Sequence, residues 1–371
     1  MKVAIIHYWL VSMRGGEKVI ESLCELFPQA DIYTHVYNPD NISDIIKQHK
    51  IQTTFISKLP FAKRYYKTYF PLMPVALEQL DLRDYDLIIS SESGPAKGII
   101  TSPTSLHISY VHTPMRYLWD MYPDYRKSAG FLKRLLMPPI MHYLRMWDVS
   151  TASRIDAFIT NSHYVKQRVK KYYRRAATVI HPPVEIDKFQ ISDKTEDFYL
   201  MVGQLVRYKK TEVAVEAFNR MKKKLVIIGE GEHFSEIRKI AGDNILLKNR
   251  QPFEIIKEYY SKCKALIFPG IEDFGIVPVE AMASGRPVIA FGKGGALETV
   301  VEGVTGMFFK EQTPECLIET VEKFETNIND FNSEQIRTYA KKFSKEIFQN
   351  KMNGFINKAI SEQQSANENL S

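Results

Sequence analysis

The sequence predicts two doubly wound α/β domains joined by a short hinge, and three observations lead there. At 371 residues the chain is longer than one hydrophobic core usually serves. Short apolar runs rich in β-branched residues alternate with helical patterns through both halves, the sequence mark of parallel sheets. The stretch from Pro182-Pro183 to Asp197 is polar, charged and without periodicity, which makes it the expected hinge. The domains are therefore placed at 1–188 and 196–340, followed by a helical run over 341–361 that is too long for an ordinary cap.

In the first half, strands are expected at Lys2–Ile6, Asp31–Val36, Leu87–Ser90, Ile108–His112, Ala157–Thr160 and Thr178–His181. In the second half they are expected at Tyr199–Val202, Lys224–Ile228, Ile245–Leu247, Ala265–Phe268, Val288–Phe291 and Gly306–Phe309. A helix from Glu17 to Leu26 follows Gly15-Gly16, and a short one from Val277 to Ser284 is stopped by Gly285-Arg286-Pro287. After Phe331 a helical pattern passes through Phe343, Phe348, Phe355 and Ile356, and the polar tail from Ser361 to Ser371 is expected to fray. Ligands of doubly wound sheets bind beyond the carboxyl ends of the strands, so the expected site is a cleft between the two domains.

The most telling segment is Glu272-Asp273-Phe274-Gly275-Ile276-Val277-Pro278-Val279-Glu280, which sets two carboxylates across a strand-to-helix turn. Glu272 sits on the loop and Glu280 on the helix. Gly275 lets backbone come close to a ligand, and the free N–H groups of the first helical turn can hold an anion. An anion in the middle and hydroxyl acceptors on both sides describe a nucleotide sugar.

This pattern resembles the E-x7-E signature of retaining glycosyltransferases of family 4, which have the two-domain GT-B fold. Gly15-Gly16-Glu17, His112-Thr113-Pro114, Asn161-Ser162, Val202-Gly203-Gln204-Leu205 with Lys209, and Gly294-Gly295 with Glu298 occur in the family's order and spacing. Within the family, the HTPMRYLWD, YKK and EDFGIVPVEAMASGRPV segments look most like the bacterial subgroup that transfers mannose and related sugars in O-antigen, capsule and exopolysaccharide assembly.

The resemblance implies a division of labour. Lys209 matches the lysine on the donor's phosphates; Gln204 stands where the family often has an arginine, and Arg207 is the neighbouring candidate for that charge. Glu280 is implied to bind the nucleotide ribose, Glu272 the transferred sugar, and the backbone of Phe274, Gly275 and Ile276 the remaining hydroxyls and phosphates. Gly15 and Gly16 offer N–H groups to the diphosphate, and His112 lies beside the sugar. Arg116 and Asp120 are acceptor-side candidates, and Arg250, Gln251 and Pro252 belong to the loop that frames the base. Because cations and helix ends are available to stabilise the leaving diphosphate, neither a metal nor a cofactor is expected, the nucleotide sugar being a substrate. The resemblance further implies that the helix 341–361 crosses back onto the first domain, that the donor is GDP-mannose, with a UDP-hexose as the alternative, and that the acceptor is a lipid-linked glycan.

Charge is uneven. Residues 1–190 hold 25 Lys and Arg against 17 Asp and Glu, a net of +8, whereas residues 191–371 hold 25 against 26. The surplus gathers in Lys58–Phe70 and Arg126–Arg145, where cations alternate with aromatic and aliphatic residues. Such mixtures suit the headgroup layer of an anionic membrane, the alternative being two amphipathic helices with solvated basic faces. Nucleic acid is not expected as a partner, since no recognition motif accompanies the charge. No apolar run approaches a membrane span, and the start of the chain enters a strand directly, so a cytoplasmic protein attached peripherally to the membrane's cytoplasmic face is expected. Cys24, Cys263 and Cys316 have no metal-type spacing and read as reduced. A sugar-nucleotide epimerase would need an acid–base set beside the E-x7-E turn, which is missing, and a two-lobed solute-binding protein would need an export signal. The absence of G-x-G-x-x-G after the first strand argues against a nicotinamide enzyme.

Overall fold

The computed structural model describes residues 1–368. It divides into two compact units, one made of Met1–Pro183 with Phe348–Ser371 and the other of Val184–Ile347.

The first unit holds a seven-stranded parallel sheet in the order β3-β2-β1-β4-β5-β6-β7. Its strands are β1 Val3–His7, β2 Asp31–Thr34, β3 Ile51–Thr53, β4 Leu87–Glu92, β5 Leu106–Val111, β6 Ala157–Thr160 and β7 Thr178–Val179. Every residue of β1, β4 and β5 is buried, as happens when helices cover both faces of a parallel sheet. Strand β3 is the one the sequence did not announce; three residues at a sheet edge, partly exposed, cannot display a period. The helix Gly15–Leu26 packs Val19, Ile20, Leu23 and Cys24 onto this core.

The helix Lys345–Glu368 adds Phe348, Met352 and Ile356 to the same core, three residues on one helical stripe. It ends later than the expected 361, and Gln349 reaches the carbonyl oxygen of Ser22 and the carboxylate of Glu25. Residues 361–368 of the tail expected to fray continue this helix, and residues 369–371 lie outside the described ones.

The second unit holds a six-stranded parallel sheet in the order β10-β9-β8-β11-β12-β13. These strands are β8 Tyr199–Val202, β9 Leu225–Ile228, β10 Ile245–Lys248, β11 Leu266–Phe268, β12 Val288–Phe291 and β13 Gly306–Phe309. The unit takes in the segment around Phe189 at one end and Phe343 at the other, both in its core. Arg286 ties the incoming segment down, donating to the hydroxyl of Thr195 at 2.6 Å and to the carbonyl oxygen of Ser192 at 2.7 Å.

Each sheet reverses its winding once, between β1 and β4 in the first unit and between β8 and β11 in the second. The carboxyl ends of strands at such a reversal open a crevice that the crossover helices leave uncovered. The E-x7-E segment and the Gly-Gly turn both begin at these ends.

Candidate active site

At the reversal in the second unit, β8 leads into Gly203 and a short turn over Arg207–Lys209, while β11 leads through Pro269 to Glu272. Lys209 Nζ lies 2.7 Å from Glu272 Oε1, and both side chains are largely shielded. Two glycines permit this: a Cβ on Gly203 would lie 3.0 Å from Lys209 Nζ, and one on Gly270 would lie 2.8 Å from Lys209 Cα. Gly295 shapes the other side of the loop. Its N–H donates to the Glu272 carbonyl at 2.8 Å, and a Cβ there would collide with the Phe274 backbone at 2.3 Å.

Gly275 has φ +89°, a conformation favouring glycine, and it caps the helix Ile276–Ala283. Phe274 is buried in the core, which pins the loop that carries Glu272. On the helix, Glu280 accepts a hydrogen bond of 2.9 Å from the Tyr260 hydroxyl, whose ring is fully buried. Burial and Glu280 raise the pKa of this phenol far above the ordinary tyrosine value, so it stays a donor and holds the carboxylate in place.

In the first unit the reversal gathers His7 at the end of β1, Ser91 near the end of β4, and His112 just past β5. Ser91 Oγ lies 3.1 Å from His7 Nδ1 and 2.8 Å from His112 Nε2. His7 Nε2 lies 3.6 Å from Glu17 Oε1, beyond hydrogen-bond length but within ion-pair range. The other oxygen of Glu17 accepts from the Arg14 backbone N–H at 3.0 Å, which fixes the entry to the Gly-Gly turn. Gly16 touches this group: a Cβ there would lie 2.6 Å from the Tyr8 hydroxyl and 3.6 Å from His112 Nε2. Burial, with a smaller contribution from His7, pushes the His112 pKa down to about 3, so the imidazole is neutral at physiological pH.

Behind His112 lies a fully buried charged cluster. Lys97 Nζ donates to Glu92 at 2.8 Å and to Asp148, and Trp119 donates to the second oxygen of Asp148 at 2.8 Å. The Glu92 carbonyl accepts from the His112 backbone N–H at 2.8 Å, joining the cluster to the strand end. Asp120 pairs with Arg168 at 2.6 Å, and the same guanidinium reaches Thr113 and the Pro114 carbonyl, clamping the His112-Thr113-Pro114 turn. Arg116 places Nη1 3.9 Å from the Met121 sulfur.

Two family models match the chain, glycosyltransferase family 4 over residues 13–188 and glycosyl transferases group 1 over residues 182–343. The chain is a glycosyltransferase. It is 29% identical over 196 residues to an uncharacterized glycosyltransferase of Methanocaldococcus jannaschii, a match covering 51% of this chain and 56% of that one. It is 27% identical over 283 residues to the alpha-1,3/1,6-mannosyltransferase ALG2 of Homo sapiens, covering 64% of this chain and 67% of that one. The chain thus spans between about half and two thirds of the length of these relatives. Among solved structures, HepE of Anabaena in complex with UDP and glucose superposes with a TM-score of 0.71 at 14% identity, covering 96% of this chain and 99% of that one. With two parallel α/β units, the transferase has the GT-B fold.

Of the expected site residues in the transferase, Lys209 and Glu272 are in contact, and Phe274, Gly275, Ile276 and Glu280 lie on the same turn and helix. Arg207 donates from Nε to His233 at 2.8 Å and is mostly exposed, and Gln204 is exposed. The sequence reading missed His7 and Ser91, which meet only through the sheet, and the Glu92–Lys97–Asp148 cluster. Strand ends would have been the signal for the first pair. Among the described residues, no group of three or more His, Cys, Asp or Glu is placed to hold a metal ion, and no helix is long and apolar enough to cross a membrane.

The first unit also carries an apolar and basic surface. On the helix Phe131–Thr151, Phe131, Leu132, Leu135 and Leu136 are exposed beside Lys133 and Arg134, with Phe131 87% accessible. Phe61, 78% accessible, stands beside exposed Lys63, Arg64 and Lys67.

Proposed function

We propose that this transferase moves mannose from GDP-mannose, with retention at the anomeric carbon and without a divalent metal, onto a lipid-linked glycan at the cytoplasmic face of a membrane, as in surface polysaccharide synthesis. The observation that carries the reading is the Lys209–Glu272 pair where β8 and β11 end side by side, with Glu280 held by Tyr260 on the following helix. A lysine there meets the diphosphate, and the helix N-terminus after Gly275 adds backbone N–H groups for charge that grows on the leaving group. Glu272 accepts hydroxyls of the sugar and Glu280 those of the ribose. Gly15 and Gly16 offer N–H groups to the diphosphate, and His112 bonds a sugar hydroxyl.

The step breaks the bond between the anomeric carbon and the phosphate oxygen and forms one to the acceptor oxygen on the same face. The acceptor proton leaves on a phosphate oxygen, so Glu272 positions the sugar and does not attack it. Mannose is supported by the likeness to ALG2, named as a mannosyltransferase. The membrane is supported by the exposed apolar residues interleaved with Lys63, Arg64, Lys67, Lys133 and Arg134.

The test is incubation of the full chain with a panel of nucleotide sugars, following slow donor hydrolysis with and without EDTA. GDP-mannose should be turned over in preference to UDP-hexoses, and chelator should leave the rate intact. Preference for a UDP-hexose would move the donor assignment, a magnesium-restored loss in EDTA would overturn the electrostatic one, and no turnover or binding of any nucleotide sugar would sink the reading.

A further inference from the structure

We propose that Glu17, His7 and Ser91 form a buried relay that fixes the tautomer of His112, so that its second ring nitrogen, Nδ1, is left as a hydrogen-bond acceptor. The proposal rests on the transferase reading only for what His112 then does. The relay itself follows from four side chains and their contacts.

Glu17 has both oxygens committed. One accepts from the Arg14 N–H at 3.0 Å, and the other faces His7 Nε2 at 3.6 Å. His7 Nε2 is buried and has no hydrogen-bond partner, so the carboxylate is the group that decides its proton. A lone pair pointed at a carboxylate is repelled and an N–H is attracted, so of the two neutral tautomers of His7 the one with its proton on Nε2 is favoured. Its Nδ1 is then an acceptor, and the atom 3.1 Å away, Ser91 Oγ, must donate to it. The serine hydroxyl has one proton. Having spent it on His7, Ser91 can only accept from its second partner, His112 Nε2 at 2.8 Å. His112 is therefore protonated on Nε2 and bare on Nδ1. His7, Glu17 and Ser91 are all almost wholly buried, so water does not supply alternative partners.

The chemical consequence is a preference for a ligand hydroxyl at His112, which can donate to Nδ1, over a carbonyl or phosphate oxygen, which cannot. Glu17, His7 and Ser91 are positioning residues: none needs to touch the sugar, and the sequence places them far apart. The Gly15-Gly16 turn is coupled to the same relay through the Arg14 N–H.

The direction of the chain makes it testable without any substrate. In Glu17→Gln, the amide oxygen keeps the Arg14 N–H and the amide NH2 faces His7. His7 Nε2 must then accept, Nδ1–H donates to Ser91, Ser91 donates to His112 Nε2, and the His112 proton moves to Nδ1. Long-range proton–nitrogen correlation spectra of ligand-free protein labelled with ¹⁵N-histidine, with His112 assigned by its loss in His112→Asn, read the tautomer directly. The wild type should show the proton on Nε2, E17Q should show it on Nδ1, and adding Ser91→Ala should abolish the effect of E17Q. If E17Q fails to fold, Ser91→Ala alone serves, because His112 should then exchange between tautomers. A wild-type proton on Nδ1, or a tautomer unchanged by both E17Q and S91A, would overturn the relay.

Turnover is a separate arm. E17Q should lower kcat/KM for the donor about five- to tenfold, the size of one neutral hydrogen bond reversed, with the affinity for bare nucleoside diphosphate unchanged. A flipped tautomer in a protein that turns over no nucleotide sugar would leave the relay standing and sink the transferase reading instead.

Discussion

In the second unit the candidate site is written in short contiguous stretches, Gly203 to Lys209 and Glu272 to Glu280, and shaped by backbone. In the first it is assembled from side chains as far apart in sequence as His7, Ser91, His112 and Asp148 and shaped by buried hydrogen bonds. Backbone dihedrals show the same contrast: among the described residues, every glycine with φ in the left-handed range, from Gly203 to Gly303, belongs to the second unit. The buried ion cluster and the histidines whose protonation is suppressed all belong to the first. Two sheets of closely similar winding can thus present functional groups either by close backbone approach or by a prepaid polar interior, and the two designs should fail in different ways.

The largest expected difference is in acid. His35, His107 and His112 are each pushed down to about 3, chiefly by burial. Their neutral forms are favoured by folding, so the stability they contribute is complete above the unfolded value of 6.5 and is lost as pH falls from there toward 3. Glu92, pushed up to about 7 mainly by burial, acts in the opposite sense, its contribution being lost as pH rises from 4.5 to 7. Three protons against one leave a net loss on acidification. Hydrogen exchange followed by peptide between pH 7 and 4 should show the first unit opening before the second. Earlier opening of the second unit, or coincident opening of both, would break the contrast.

Next in size is Lys209→Ala, which removes the cation at the β8–β11 reversal. On the proposed chemistry it should cost kcat about 10²- to 10³-fold, as loss of a single group that stabilises developing charge does. Steady-state kinetics check this, and a change below tenfold would move the diphosphate elsewhere. Replacing Lys63, Arg64 and Lys67 together by Ser tests the first unit's surface. Each contributes about 1 kcal/mol near an anionic leaflet, so sedimentation with anionic vesicles at low salt should drop sharply while neutral vesicles show no change. A wild type that ignores anionic vesicles would return these residues to plain solvated surface.

The difference between the units also explains what could be read in advance. Twelve of the thirteen strands were legible because buried parallel strands are short apolar runs whatever their neighbours. The Glu272–Glu280 turn was legible because its chemistry is local: a strand end, a glycine and a helix start lie within nine residues. His7, Ser91 and Glu92 looked like ordinary strand residues, and Lys97 like a loop cation after Gly94-Pro95. Only the parallel register, pairing His7 with Ser91 and Glu92 with Val111, brings them beside His112. Arg207, offered as the neighbour of the position where the resemblance has an arginine, hydrogen-bonds His233 in the folded chain, a partner that local sequence does not announce.

The finest test lies within the second unit and asks whether its two glutamates, adjacent in motif, divide the donor between them. Glu280 is held by the buried Tyr260 hydroxyl and Glu272 by the Lys209 ammonium, so their surroundings already differ. Glu280→Ala should weaken the bare nucleoside diphosphate, because the ribose contact is lost whether or not a sugar is attached. Glu272→Ala should spare the nucleotide and weaken only the part of the affinity that the sugar adds. A hydrogen bond to a charged group is worth about 1.5–3 kcal/mol, well within the resolution of titration calorimetry. Removing Glu272 also frees Lys209 from its ion pair, which favours the diphosphate, so this variant should bind nucleoside diphosphate as tightly as the wild type or more so. Equal loss of nucleotide affinity in both variants would mean that the two carboxylates act on one part of the ligand, and the E-x7-E turn would then be a single nucleotide clamp.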